Sequence, residues 1–225
     1  MPISSALIKI YSEVSVCNDK CASIRNEPEN GVIGRSYYCP HNPKNVSLLM
    51  VSKNPAKGHI EEEKMYQMMS GKERVHAHED FIRAKFEGRN DLIKSRYHEN
   101  ILSWVSIILD VEASHEAVFK KSALTALVKC ESISDKTTTL PKSTISNCSE
   151  KFLFRELEVI QPSYLLALGR EAYSFLESPK IKRLHKLPVG RLYHPSWTNM
   201  SGGVEKYKAK TLPCLRKQYI AACKL

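Results

Sequence analysis

The sequence predicts an α/β protein in which a mainly parallel sheet lies between two layers of helices. Short apolar runs stop at turns marked by Pro and Gly, as strands do. Segments whose apolar residues have helical spacing separate these runs, and such alternation is typical of parallel sheets. The 225 residues are enough for one sizeable core. We therefore expect a three-layer αβα sandwich formed by a single domain over residues 1–225.

An amphipathic helix is predicted at residues 3–16, where four apolar residues recur along one stripe: Ile3, Leu7, Ile10 and Val14. Cys17 and Cys21 follow at its end, about one helical turn apart, so both sulfurs can reach the same metal or cluster. Buried free cysteines are common, so the spacing also admits a packing role. A loop rich in Asn, Gly and Pro follows at residues 26–43 and carries Cys39.

The first strand is predicted at residues 46–51, and the rest of the chain is organised around the loop that follows it. Residues 52–59 form a polar loop in which Pro55 and Gly58 mark a tight turn. Open parallel sheets bind ligands at the carboxyl ends of their strands, so Asn54 is expected at a functional site. Asn before Pro is also a common turn residue, and the position alone admits a purely structural role.

A charged segment at residues 59–110 is predicted to form two or three helices, because its apolar residues recur at helical spacing. We interpret it as a helical insertion in the α/β domain. Its Lys and Arg residues fit either solvated helix faces or contacts with phosphate groups. His76 and His78 are two residues apart and do not share a helix face, which argues against a metal site there.

The second strand is predicted at residues 122–129 and closes at Cys130. The Ser- and Thr-rich loop over residues 131–147 has no apolar periodicity. It ends at Cys148, where a helix is predicted to begin, and Pro162 stops that helix.

The third strand is predicted at residues 164–168 and the last at residues 187–193, with a helix at residues 170–176 between them. The last strand ends in a polar loop at residues 194–199, just as the first strand ends at Asn54. Parallel strands bring their carboxyl ends to one edge of a sheet, so the two loops indicate one shared site.

The charge of the chain indicates a polyanionic partner. The formal net charge is +10 and the pI is about 9.2, and each Lys or Arg that neutralises a phosphate releases a counterion. Nucleic acid is favoured, although the same charge can serve solubility. The sequence has no secretion signal and no apolar stretch of membrane-span length. We therefore expect an intracellular protein, cytoplasmic or at the nucleoid, with no membrane partner.

The seven cysteines are expected to be thiols, core residues or metal ligands, because the expected intracellular location disfavours disulfides. Cys214 and Cys223 lie in a final helix predicted at about residues 204–224, which Pro213 should interrupt or kink. We expect both of these cysteines to pack between helices.

The order of these motifs resembles the uracil-DNA glycosylase superfamily, and its iron-sulfur branch, often called family four, is the most similar. The similarity runs from about residue 17 to residue 199. Its most specific part is a strand ending in Val128, Lys129 and Cys130, then Cys148, Pro162, and the run Leu166, Ala167, Leu168 and Gly169. The Asn54-Pro55 loop and the His194-Pro195-Ser196 loop fit the same pattern and are less specific. The resemblance implies the αβα fold of that superfamily.

The resemblance also implies an iron-sulfur centre. Carried over by position, the four ligands of a [4Fe-4S] cluster are Cys17, Cys21, Cys130 and Cys148. The gap in the first pair is one residue wider than in the branch, and Cys39 is an alternative for one member of that pair. Four thiolates suit zinc as well, which is the alternative cofactor.

The activity that the resemblance implies is that of a DNA glycosylase, which flips a damaged base such as uracil out of DNA and hydrolyses its N-glycosidic bond in base excision repair. Asn54 is expected to hold the attacking water, and His194 to donate a hydrogen bond to a carbonyl oxygen of the departing base. The residues expected to bind DNA or substrate are Ser52, Lys53, Pro55, Phe81, Ser196 and Asn199. Phe81 or Phe86 would stack on the base, although either ring can instead belong to the core.

Two features depart from the iron-sulfur branch. Ala126 stands where the branch carries an Asn that reads the edge of uracil, so the lesion is left open between uracil, a deaminated purine and another altered base. The loop at residues 52–56 is closer to the Gly-x-Asn-Pro loops of the mismatch-specific and single-strand-selective branches. The missing amide supports an alternative, a non-catalytic iron-sulfur or zinc DNA-binding protein of the same fold. We expect a monomer, and the absence of a P-loop argues against a nucleotide cofactor.

Overall fold

A five-stranded sheet forms the centre of the computed structural model, which describes residues 4–58, 60–89, 96–133, 139–196 and 203–224. In chain order the strands are β1 (Ile24–Arg25), β2 (Tyr37–Tyr38), β3 (Leu48–Ser52), β4 (Ser122–Ala126), β5 (Glu131–Ser132), β6 (Tyr164–Leu168) and β7 (Val189–Leu192). The central sheet has the order β2–β4–β3–β6–β7, while β1 and β5 pair in a separate ribbon. Strands β4, β3, β6 and β7 are parallel, and β2 is an antiparallel edge. The predicted mainly parallel sheet is confirmed.

The helices of the described residues, in chain order, are α1 (Ser5–Ser15), α2 (Ile60–Gln67), α3 (Gly71–Glu87), α4 (Arg96–Leu109), α5 (His115–Phe119), α6 (Lys142–Cys148), α7 (Phe154–Ile160), α8 (Arg170–Leu176), α9 (Pro179–His185) and α10 (Gly203–Ala222). The helix predicted at residues 3–16 is α1, although Ile3 lies outside the described residues. The charged segment forms the three helices α2, α3 and α4, as its periodicity predicts.

The sheet separates two hydrophobic cores, which makes the architecture three-layered. Successive side chains of a strand point to opposite faces, so Leu49 and Val51 pack on one side while Leu48 and Met50 pack on the other. The first core includes residues of α1, α7 and α8, and the second includes residues of α4, α5 and α10. The fold is therefore the predicted three-layer α/β sandwich.

Helix α3 crosses the edge of the sheet beside β2 and contributes to both cores. It begins with a capping box formed by Ser70 and Glu73, and it ends at Gly88 in the left-handed conformation, with φ of 68°. Val75 near its start packs in the first core, and Phe86 near its end packs in the second. The charged segment is therefore built into the body of the fold, where it can contribute to a site.

The helix predicted to begin at Cys148 begins earlier. The segment from α6 to α7 is helical without a break from residue 142 to residue 160, and Cys148 lies inside it, just before a π-helical turn at Ser149–Leu153. In α6 only Thr144 and Cys148 are buried, so the segment carries no apolar stripe that periodicity can detect. A single-turn π-helix often marks a functional position.

Cys214 and Cys223 are exposed on α10, so the prediction that they pack between helices is wrong. This helix packs instead through Leu212, Leu215 and Tyr219. Pro213 lies within this helix and does not interrupt it, contrary to one of the two predicted effects. None of the helices in the described ranges combines the length and the apolar character needed to cross a bilayer.

Candidate active site

A cavity of about 360 Å³ lies at the carboxyl ends of β3 and β7, and both Asn54 and His194 line it. The parallel pairing of β3 with β6, and of β6 with β7, brings these two strand ends to the same edge of the sheet. Four other predicted binding residues also line the cavity: Ser52, Pro55, Phe81 and Ser196. Asn199 lies outside the described residues. The structure thus brings together two loops that are 140 positions apart in the chain.

The side-chain amide of Asn54 is held by hydrogen bonds from its nitrogen. Nδ2 donates to Oγ of Ser132 over 2.9 Å and to the backbone oxygen of Pro55 over 3.1 Å. With both N–H groups used in this way, Oδ1 is the atom of the amide that can accept a hydrogen bond from water. Ser132 lies in β5, two positions after Cys130, so the end of the second predicted strand orients the candidate catalytic amide.

An ionic network fixes the rest of the Asn54 loop. The Arg35 guanidinium donates to Glu131 over 2.6 Å, to Glu62 over 3.3 Å and to the backbone oxygen of Ala56 over 2.5 Å. The backbone N–H of Gly58 donates to the same Glu131 carboxylate over 2.8 Å. Arg35, Glu62 and Glu131 are all buried, and buried charges that are paired in this way resist displacement. The loop is therefore a rigid support for Asn54.

The imidazole of His194 accepts a hydrogen bond at Nδ1 from the backbone N–H of Ser196, over 3.3 Å. Its proton in the neutral state must then be on Nε2, which can donate it to a ligand. Burial, followed by the positive charge of Lys53, lowers the pKa of His194, while Glu171 acts in the opposite direction. The neutral Nε2–H form is therefore the one that the site favours near pH 7.

Helices outside the loop hold His194 in place. The side-chain Nδ2 of Asn100 on α4 donates to the backbone oxygen of Pro195 over 2.6 Å. The ring of Tyr97, also on α4, lies with its centroid 5.7 Å from that of His194. Gly169 is also next to the histidine: a Cβ added to it would lie 3.7 Å from Cβ of His194, and its φ of 104° favours glycine.

The inner face of α3 contributes Phe81, Lys85 and Phe86 to the wall of the cavity. Phe81 is half-buried, whereas Phe86 is fully buried and belongs to the second core. Of the two rings predicted to stack on a base, Phe81 is therefore the one with an accessible face. The ammonium nitrogen of Lys85 lies 4.4 Å from the centre of that ring.

Two positions singled out in the sequence, Lys53 and Ala126, are not among the residues that line the cavity. Lys53 forms an ion pair with Glu171 on α8, with Nζ and Oε2 3.2 Å apart. Ala126 is fully buried at the end of β4, and strand alternation places it on the same face as Leu124, which lines the cavity. An alanine at this position offers no polar atom to a ligand.

The cysteines predicted as ligands converge on a second, small cavity of about 20 Å³, lined by Cys17, Cys21, Cys130 and Cys148. The backbone N–H of Lys129 donates to Sγ of Cys148 over 3.4 Å, as amides commonly do at metal-bound thiolates. Oδ1 of Asn26, in the same lining, is buried and lacks a hydrogen-bond partner among the described residues. Burial raises the pKa of all four thiols, that of Cys148 to about 11.

The donor set is that of a thiolate-bound metal centre, although among the described residues no three His, Cys, Asp or Glu side chains are arranged to hold one metal ion. Cys39 is elsewhere, with its thiol donating to the backbone oxygen of His41 over 3.7 Å. The set that converges therefore consists of the four cysteines without Cys39.

Sequence reasoning missed several residues that build the site: Arg35, Asn100, Glu131 and Ser132. It included Lys85 only among the basic residues that fit either a solvated helix face or contacts with phosphate groups. Glu131 and Ser132 directly follow Cys130, and that proximity to a candidate ligand was the one available signal. Arg35 stands in an irregular loop, and Lys85 resembles the other cations of a charged helix. Their roles depend on contacts with distant parts of the chain.

A family model, the Uracil DNA glycosylase superfamily, matches residues 39–216. The match includes Asn54, Cys130, Cys148 and His194, and it begins after Cys17 and Cys21. No curated protein matches the chain. The matched region covers most of the sequence, and its ends enclose both strand loops of the cavity. The chain therefore belongs to the uracil DNA glycosylase superfamily.

Proposed function

We propose that the protein is a DNA glycosylase that removes a deaminated base from DNA and leaves an abasic site. The observation that carries the proposal is the shared cavity of Asn54 and His194 at the carboxyl ends of β3 and β7. Membership of the superfamily supports an activity on N-glycosidic bonds in DNA. The net charge of +10 suits a polyanionic partner.

Asn54 would position the water that attacks C1′ of the deoxyribose. An amide is too weak to act as a general base, but its Oδ1 can accept a hydrogen bond from water and fix the direction of approach. Such positioning suffices when the glycosidic bond is largely broken before the water attacks. The hydrogen bonds from Nδ2 to Ser132 and Pro55 support this role, since they use the two N–H groups and leave Oδ1 as the acceptor for water.

His194 would stabilise the departing base. As the glycosidic bond breaks, negative charge develops on the base, and a hydrogen bond from Nε2–H to its carbonyl oxygen becomes stronger. A neutral imidazole can supply this donor, and the lowered pKa of His194 keeps it neutral. Ser196, exposed beside the histidine, would contact the adjacent phosphate, and Phe81 would stack on the flipped base. Asn199 is also proposed to contact DNA.

Cys17, Cys21, Cys130 and Cys148 would hold a [4Fe-4S] cluster, as in the iron-sulfur branch of the superfamily. When bound, such a cluster would cross-link the loop after α1, the residue before β5 and the end of α6, and it would supply no step of the hydrolysis. The convergence of four thiols on one cavity supports this proposal. A brown protein with broad visible absorption is expected, with four irons and four sulfides per chain. Stoichiometric zinc in colourless protein would assign the site to zinc instead.

The test of the activity uses the Asn54→Ala and His194→Ala variants, with Asn30→Ala and His76→Ala as matched controls at exposed positions. Excision is measured on single- and double-stranded oligonucleotides containing uracil, hypoxanthine or xanthine, with cleavage of the abasic product by alkali. Each site variant should lose about 100-fold or more in rate while binding of abasic-site DNA is retained. A wild-type protein that leaves every substrate intact would overturn the proposal.

A second candidate function, a DNA-binding protein without catalytic activity, is favoured by Ala126, a buried apolar residue on the same strand face as Leu124 of the cavity wall. It predicts DNA binding that weakens steeply with salt and shows no preference for an abasic site. Measuring Kd for intact and abasic duplexes at two salt concentrations distinguishes the two candidates, because a glycosylase should prefer the abasic DNA.

A further inference from the structure

Lys85 is a cation in the candidate active-site cavity that has no anionic partner in the described part of the chain. It lies on α3, one helical turn after Phe81, and its Nζ lies over the Phe81 ring at 4.4 Å from the centroid. The carboxylate of Glu62 influences its charge from a greater distance, but that carboxylate is already paired with Arg35. The ammonium group therefore retains donors for a ligand.

The surroundings destabilise the Lys85 ammonium group when no ligand accepts its hydrogen bonds. The Lys85 side chain is half-buried against aromatic residues, and burial lowers its pKa. A cation that has lost part of its hydration is stabilised when an acceptor enters beside it. The cavity thus has a position for a hydrogen-bond acceptor next to the ring of Phe81.

Three other residues of the wall, Tyr38, His78 and Arg35, have polar groups that are already hydrogen-bonded. The hydroxyl of Tyr38 bonds to His115 over 2.6 Å. Both ring nitrogens of His78 have partners, with Nδ1 3.0 Å from the Tyr66 hydroxyl and Nε2 3.2 Å from the backbone oxygen of Tyr37. Arg35 is bound within its own network. Among these groups Lys85 is the one that can serve an incoming base.

An ammonium group has three donors and no acceptor. Deamination of cytosine, adenine or guanine replaces an exocyclic amino group, which is a donor, by a carbonyl oxygen, which is an acceptor. A lysine that faces this position therefore donates a hydrogen bond to the deaminated base. In the undamaged base it faces the two N–H donors of the amino group, which cannot accept that bond. The chemistry is the same for a pyrimidine and a purine.

We propose that Lys85 is a specificity-determining residue that donates a hydrogen bond to the exocyclic oxygen created by deamination. The inference rests on the proposed glycosylase activity and names its substrate class as deaminated bases of either ring size. Lys85 would supply a donor to the base, which the alanine at position 126 cannot do. A volume of about 360 Å³ suits ligands larger than a single pyrimidine ring, which agrees with that class.

The test is a double-mutant cycle in which the Lys85 side chain and the exocyclic oxygen of the base are removed singly and together. Lys85→Met removes the charge with little loss of length, and Lys85→Arg keeps the donors. Each protein is assayed in single turnover on uracil and on 2-pyrimidinone, which lacks the exocyclic oxygen at C4, and then on hypoxanthine and unsubstituted purine. Intrinsic differences in leaving-group reactivity cancel in the cycle, because both enzymes process the same pair of bases. Lys72→Met, at an exposed position of α3, is the matched control.

The wild type should prefer uracil to 2-pyrimidinone, and the Lys85→Met variant should lose about 10- to 100-fold of that preference, as expected for a charged hydrogen bond. Lys85→Arg should keep most of it, and Lys72→Met all of it. An unchanged preference in Lys85→Met, with excision intact in the wild type, would overturn the role of Lys85 and leave the glycosylase proposal standing. No excision by the wild type would overturn the glycosylase proposal itself.

Binding of DNA that contains a tetrahydrofuran abasic analogue gives a second readout. This DNA has no base to read, so Lys85→Met should change its Kd by less than about twofold. A large loss of binding would show that Lys85 contacts the phosphate backbone and would overturn the specificity role. Capture of Lys85 on abasic DNA by borohydride would assign its amine to Schiff-base chemistry and would overturn the role as well.

Discussion

Replacing Ser132 by alanine should lower the rate of base excision without weakening DNA binding. The Ser132 hydroxyl accepts the hydrogen bond from Asn54 Nδ2 over 2.9 Å. In Ser132→Ala the amide keeps only the bond from Nδ2 to the backbone oxygen of Pro55, so it can rotate and place its nitrogen where water should be held. Ser132 is not one of the residues that line the cavity, so the variant should act through the orientation of Asn54.

The size of the effect follows from that single bond. A partly exposed hydrogen bond between uncharged groups contributes about 1 kcal/mol. A loss of that size in the transition state corresponds to roughly a fivefold decrease in kcat. KM should stay within about twofold, because the base and phosphate contacts are unchanged. Ser132→Thr retains the hydroxyl and should restore most of the rate.

The assay is single-turnover excision followed by alkaline cleavage, with Ser143→Ala on the exposed side of α6 as the matched control. The double variant Ser132→Ala with Asn54→Ala should be no slower than Asn54→Ala alone, because Ser132 acts through the amide. A full wild-type kcat in Ser132→Ala, or a further decrease in the double variant, would refute this reasoning.

Three other predictions concern stability and pH. Lys129 and Glu156 are fully buried with Nζ and Oε2 2.6 Å apart, so Lys129→Met should lower the free energy of unfolding by about 3–5 kcal/mol, measured in urea. The double variant with Glu156→Leu should recover most of this loss, and additive losses would contradict the pairing. Burial raises the pKa of Glu79 to about 7, so the folded state binds this proton more tightly and its ionisation costs stability as the pH rises through 7. Glu79→Gln should therefore stabilise the protein by roughly 1–2 kcal/mol at pH 8.5, after allowance for solvent screening, and an equal gain at pH 5 would contradict this account. For His194, whose pKa lies below its ordinary value of 6.5, kcat/KM should fall only as the pH drops through that lowered pKa. Glu171→Gln removes a charge that raises this pKa, so it should move the acid limb of the profile to lower pH, and a shift to higher pH would contradict the assignment.

Much of the fold can be predicted from local sequence. β6 coincides with the run predicted at residues 164–168, and α8 coincides with the helix predicted at residues 170–176. A short apolar run and an amphipathic stripe are properties of neighbouring residues, and Gly169 marks the turn between them. The same local pattern, an apolar run followed by a polar turn, shows where the first and last strands end. Segments without such a pattern, including α6 and α9, are not predictable in this way.

The supports of the site depend on contacts between distant residues. Asn54 bonds to Ser132 across 78 positions, and Arg35 bonds to Glu131 across 96. Neither Arg35 nor Ser132 stands in a motif, since their partners come near them only when the sheet and its ribbon assemble. Cys39 shows that a residue whose sequence position suits a ligand can lie elsewhere after folding, because its thiol bonds to the backbone oxygen of His41.

By itself the sequence determines the α/β class, the polar loops at Asn54 and His194, and the spacing of the cysteines, because periodicity and turn chemistry act over a few neighbouring residues. Only the tertiary structure decides that Ser132 holds the amide of Asn54 and that Lys85 lines the cavity of the two loops. The physical reason is that these contacts arise from the packing of α3, β5 and the sheet, whose segments are far apart in the chain.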